Sequence, residues 1–234
     1  MKRYFKRILL VTIIISIFWY AKEEMYIIFK EIYTNDISTS SNNTNKLGEN
    51  TNESDELLLV NDNNELEKDY IPDGLTIPNI EFTMDVNNEE KHVASIVKDP
   101  LEKMIDEARN QGIILLGNSA YRSYKSQKRV YDDRVRLQGK ELANMYVAKP
   151  GYSEHQTGLC IDITNQDKYL VKGTIESDWL EENSYKFGFI IRYPQGKQNI
   201  TGIEYEPWHI RYVGEAVANY IYSNGITLEE YLDE

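Results

Sequence analysis

The sequence predicts an α+β domain, a small and mainly antiparallel sheet with flanking helices, on three observations. Helix-period stretches bounded by capping residues and glycines alternate with short runs of strand character. Leu159, Ile161 and Ile163 alternate with Cys160, Asp162 and Thr164, the period of a strand with one apolar face and one face free for chemistry. Two further strand-like runs, Phe189 to Tyr193 and Trp208 to Val213, follow near the C-terminal end, which favours strands packed beside their sequence neighbours.

Ahead of that domain the composition changes twice. Lys2, Arg3, Lys6 and Arg7 precede an almost wholly apolar stretch over residues 8–21, a membrane-targeting pattern. The stretch is shorter than the roughly 20 residues of an average spanning helix, so a cleaved signal is the competing reading. No small-x-small cleavage site follows, and Lys22, Glu23 and Glu24 do. Residues 1–33 therefore read as an uncleaved, single-pass anchor with its basic flank inside and the rest of the chain extracytoplasmic, at a bacterial surface. Residues 34–69 are dominated by Asn, Ser, Thr, Asp and Glu and read as a disordered, flexible polar tether with a reach of roughly 30 Å.

Residues 70–234 form the expected domain. Asp99, Pro100 and Glu102 supply an N-cap, a first-turn proline and a capping-box partner for a helix that Gly112 closes. Ile113 to Leu116 reads as a short buried strand. A second helix covers Tyr124 to Gln138 with Ser123 as its cap, and a third covers Glu141 to Val147. After the strand around Asp162, Ser177 caps a helix expected to run through Lys186. Gly214 to Asn224 and Thr227 to Leu232 complete the helical set.

Net charge and cysteine content exclude some classes. A formal charge of −12 opposes nucleic-acid binding, which needs a basic surface. A single cysteine, Cys160, cannot make an intramolecular disulfide, so the exported domain must be held by its core.

Chemistry concentrates in two segments, SEHQTGLCID and EPWH, which hold two of the three histidines. Each pairs a histidine with a carboxylate: His155 with Asp162, Glu206 with His209. A catalytic zinc site needs three protein ligands, an open position for water and a free carboxylate to move protons, and this set provides those residue types. For the first pair alone, a surface histidine and an ordinary polar strand residue is the competing reading. For the second pair, Pro207 forbids the helical arrangement of an HExxH motif. In an ideal strand residues three apart face opposite sides, so Glu206 and His209 meet one ion only if the chain bends near Pro207. Arg122, at the end of a buried strand, can supply a cation for charge developing on an attacked carbonyl. Gln127 and Ser153 can bind a peptide terminus. Cys160 shares a face with Asp162 but reads as a small buried hydrophobe outside the metal site.

Taken together, SAYRSYKSQ (Ser119 to Gln127), PGYSEHQTGLCIDI (Pro150 to Ile163) and TGIEYEPWHIRYVG (Thr201 to Gly214) resemble the VanY-type D-alanyl-D-alanine carboxypeptidases. The resemblance covers most of the region from Tyr70 to the end and implies one Zn²⁺ ion at the sheet face. It implies His155, Asp162 and His209 as its ligands, Glu206 as general base, and Arg122 on the substrate carbonyl. Ser153 and Gln127 match positions that hold the substrate's terminal residue. The activity implied is removal of the terminal D-alanine from peptidoglycan pentapeptide stems or precursors. An L,D-carboxypeptidase acting on tetrapeptide stems, a D,D-dipeptidase and a non-catalytic, zinc-containing wall-binding domain are the alternatives.

Overall fold

The computed structural model describes residues 56–233. The expected anchor, residues 1–33, and residues 34–55 of the expected tether lie outside the described residues. Among the described residues no helix is long and apolar enough to cross a membrane.

The elements run α1 (Ser95–Asn110), β1 (Leu116–Ser119), α2 (Tyr124–Gln138), α3 (Lys140–Tyr146), β2 (Cys160–Thr164), α4 (Ile175–Asn183), β3 (Phe189–Tyr193), α5 (Gln198–Thr201), β4 (Glu206–Tyr212), α6 (Glu215–Asn224) and α7 (Leu228–Leu232). The four strands make one sheet in the order β1-β2-β4-β3, with every pairing antiparallel. The α+β expectation of a small antiparallel sheet with flanking helices describes this domain.

One face of the sheet is apolar. Ile161, Ile163, Ile210 and Phe189 join Val97, Leu101, Met104, Ile105 and Ala108 of α1 and Trp179 and Leu180 of α4 in the larger core. A second cluster, centred on Ile190, Val213, Val217, Ile221 and Leu228, seats α6 and α7. Because side chains alternate along a strand, packing Ile161 and Ile163 against α1 turns Cys160 and Asp162 to the opposite face.

Several boundaries differ from the sequence expectation. Helix α1 begins at Ser95, not after Asp99, and Pro100 sits inside it. The start is fixed by tertiary contacts: Val93 pairs with Thr76, and the Ala94 amide donates to the Gly158 carbonyl at 2.9 Å. Val97, wholly buried, extends the apolar stripe one turn upstream. Glu102, expected as a capping-box partner, accepts instead from the Asn79 amide at 2.7 Å. Strand β1 lies three residues beyond its expected start, where Leu116 comes into register with Thr164. Helix α4 is capped by Thr174 rather than Ser177 and yields at Ser184 to a 3₁₀ turn.

The flexible tether was expected to reach residue 69, but residues 56–69 pack on the domain. The buried Arg211 guanidinium donates to the carbonyls of Glu56 and Leu58 at 2.7 and 3.0 Å. Leu66 is buried, and its amide donates to the Gly151 carbonyl at 2.8 Å. Polar composition understates this segment because its carbonyls meet buried donors and two of its apolar side chains, Val60 and Leu66, are buried.

Candidate metal centre

Each expected site residue is placed by a distinct local device. His155 lies in a buried 3₁₀ turn, Glu154–Thr157, closed by Gly158 at φ 68°. A Cβ at Gly158 would stand 3.0 Å from the Ala94 amide, so this turn needs glycine for both conformation and space. The His155 Nδ1 donates to the Ala120 carbonyl at 2.7 Å, since a carbonyl can only accept. That bond puts a hydrogen on Nδ1 and directs Nε2 into the site, 3.5 Å from Asp162 Oδ2.

Asp162 and His209 are direct cross-strand partners on β2 and β4, which puts both side chains on one face. His209 Nδ1 lies 3.1 Å from Asp162 Oδ1 and 3.8 Å from Glu206 Oε2. The two imidazoles stand nearly perpendicular, 82° apart with centroids at 5.0 Å.

The bend required at Pro207 is a bulge. Strand β4 pairs with β3 at Ile210↔Ile191 and again at Glu206↔Tyr193. Three residues of β4 therefore stand opposite the single residue Arg192, and the two extra residues redirect the chain. Both Glu206 and His209 consequently line the same cleft, of about 580 Å³, with His155, Asp162 and Arg122.

Arg122 is held on three sides. It donates to Glu90 at 2.9 Å, Ser119 Oγ at 2.6 Å and Gln127 Oε1 at 2.8 Å. Gln127, almost wholly buried, also donates to the Ala148 carbonyl at 2.7 Å. Its amide is engaged at both ends, so it positions Arg122 while lining the cleft. Ser153 is buried at the entry to the 3₁₀ turn and also lines the cleft.

Burial and neighbouring charges move the titratable groups of the centre in opposite directions. Burial pushes the Glu206 carboxyl up to about 8; His209 pulls the other way, and Asp162 adds to the rise. Burial would lower His209, but Cys160 and Asp162 hold it well above the ordinary imidazole value. Burial would raise the Cys160 thiol, but His155 and His209 bring it to about 7.

A model of the VanY family, D-alanyl-D-alanine carboxypeptidase, matches residues 90–215. The chain belongs to this family. Among VanY relatives and related structures, it is 42% identical over 183 residues to the putative carboxypeptidase YodJ of Bacillus subtilis, covering 76% of this chain and 67% of YodJ. The structure of the LdcB LD-carboxypeptidase superimposes with a TM-score of 0.72 at 40% identity, over 81% of this chain and 94% of LdcB. A vancomycin-resistance D,D-pentapeptidase VanY in complex with Zn(II) gives a TM-score of 0.66 at 37% identity, over 76% of this chain and 99% of that one.

The donor set fits such an ion. Asp162 Oδ1 is buried with no hydrogen-bond partner, although His209 Nδ1 is close by. A buried carboxylate oxygen left unpaired beside an imidazole nitrogen is what a bound cation would satisfy. Among the described residues, one nitrogen of each of His155 and His209 and the Cys160 sulfur lie within 4.8 Å of one another.

Cys160, on the Asp162 face of β2 as the strand alternation indicates, has its sulfur near both imidazoles. A further feature has no signal in the sequence. Glu154, wholly buried behind His209, carries a charge network. Its Oε1 accepts from Arg192 and Arg211, each at 2.7 Å, and Arg192 also grips Glu229 through two bonds. Nothing in residue spacing marks these four, because they come from a turn, two strands and the last helix.

Proposed function

We propose that this VanY-family protein is a zinc-dependent D,D-carboxypeptidase that removes the terminal D-alanine from peptidoglycan pentapeptide stems or their precursors. The observation that carries this reading is the bulge in β4, which puts Glu206 and His209 in one cleft with His155 and Asp162. His155 Nε2, Asp162 and His209 Nδ1 would hold the ion. Bound zinc lowers the pKa of water and polarises a carbonyl.

The remaining roles belong to the chain. Glu206 accepts a proton from the attacking water and returns it to the departing amine. The C–N bond breaks, leaving a shortened stem with a new carboxylate and free D-alanine. Arg122, fixed by Glu90, Ser119 and Gln127, faces the oxygen on which negative charge develops. Ser153, in the lining of the cleft, would meet the terminal residue.

The site works at the outer side of the membrane, a reading supported by the basic-then-apolar pattern of residues 2–21. Defined penta- and tetrapeptide stems, incubated with and without chelator and weighed by mass spectrometry, test the function. Loss of one alanine from the pentapeptide, abolished by chelation and restored by zinc, is expected. Cleavage of the tetrapeptide alone would make it an L,D-carboxypeptidase, the activity named for LdcB.

A further inference from the structure

We propose that Cys160 is a fourth protein ligand of the metal ion, so that the resting centre holds two imidazoles, a carboxylate and a thiolate; this rests on the zinc reading above. Buried free cysteines ordinarily sit among apolar side chains. Cys160 is completely buried on β2, but it belongs to the strand face that carries Asp162, not to the face packed on α1. Its sulfur shares a sphere of 4.8 Å with one nitrogen of His155 and one of His209. Ligand atoms of one tetrahedral zinc, at bond lengths of about 2.0–2.3 Å, stand roughly 3.5 Å apart, so the sulfur and the two nitrogens would draw closer together to share the ion.

On the same strand face, beside His209 Nδ1, Asp162 Oδ1 is buried and without a hydrogen-bond partner. The residue paired with Cys160 across the sheet, Arg211, does not compete for the sulfur. Its guanidinium is spent on Glu154 and on the carbonyls of Tyr212, Glu56 and Leu58.

Chemically, a thiolate does two things here. With Asp162 it brings two negative charges to a dication, and its softness favours zinc over magnesium or manganese at this site. It also occupies the position that a three-ligand catalytic site leaves open. The sulfur must therefore yield, or the coordination number rise, before water and substrate enter. Cys160 is thus a specificity and restraint element for the metal.

The test compares the full chain with its Cys160→Ser and Cys160→Ala variants after cobalt substitution and by zinc competition against a chromophoric chelator. The cobalt form of the native protein is expected to show a thiolate-to-metal charge-transfer band that both variants lack. Loss of an outer-shell partner alone costs about 10–100-fold in affinity, so loss of a direct ligand should weaken zinc binding at least about tenfold. Should one variant fail to fold, the other and the native spectrum still decide. Superimposable spectra without the band and unchanged zinc affinity would overturn the thiolate ligand while leaving the His155, Asp162 and His209 centre standing. Failure of the native protein to bind one metal ion at all would overturn the zinc reading itself.

Discussion

Glu206 and His209 sit three positions apart on one strand and still face the same cleft, because β4 carries two more residues than β3 between their common register points. Straightening this bulge would turn one of the two away. Pro207 cannot donate to a ladder, so it is at home in the irregular stretch. The fold thus commits backbone irregularity at the point where a base and a ligand must meet.

Behind His209, Glu154 is the only carboxylate within reach of both Arg192 and Arg211 among the contacts of the described residues. Removing it takes away the carboxylate that Arg211 bonds and leaves Arg192 with Glu229 alone. Glu154→Ala should lose about 3–5 kcal/mol of unfolding free energy in urea titration. Unchanged stability would contradict the network's role. Burial would raise the Glu154 carboxyl, but Arg192 and Arg211 hold it far below the ordinary range. Since its folded value is depressed, its contribution is complete above the unfolded carboxylate value and is lost only as pH falls through that low folded value. Acid titration of the native protein should show this contribution persisting at pH values where exposed carboxylates have already titrated.

Metal binding should release protons. Glu206 is lifted to about 8 in the ion-free protein, so it carries a proton at neutral pH. A value raised on folding means that its contribution to the ion-free fold is complete below the ordinary carboxylate range and lost as pH rises through about 8. A dication beside it reverses the preference and expels the proton, as it does from His155 and His209. Zinc affinity should therefore fall as pH falls from 8 to 6, and calorimetric heats should depend on the buffer's ionisation enthalpy. Buffer-independent heats would contradict this.

Arg122 should not tolerate a smaller cation. Its fork fits Glu90, Ser119 and Gln127 together, a geometry an ammonium cannot reproduce. Arg122→Lys should lower kcat/KM on a pentapeptide stem by about 10²–10³-fold with zinc content unchanged. Wild-type kcat/KM would remove Arg122 from the reaction.

The legible part of this protein is what local chemistry announces. Ser123 caps α2 as its spacing indicates, with the Ser126 amide as donor, and the Thr227/Glu230 capping box opens α7. The alternation around Asp162 announced both the strand and the face that carries the site. What stayed hidden depends on distant partners. Helix α1 starts early because Val93 and Ala94 meet Thr76 and Gly158. Residues 56–69 join the domain because Arg211 and Gln156 bind their carbonyls.

The central claim is that His155, Asp162 and His209 hold one zinc ion while Glu206 moves the proton. Zinc content and turnover of Glu206→Gln on a defined pentapeptide stem test it most directly. The account predicts one zinc per chain with turnover reduced by about 10²–10⁴-fold. Zinc content and turnover both equal to the native protein's would contradict it.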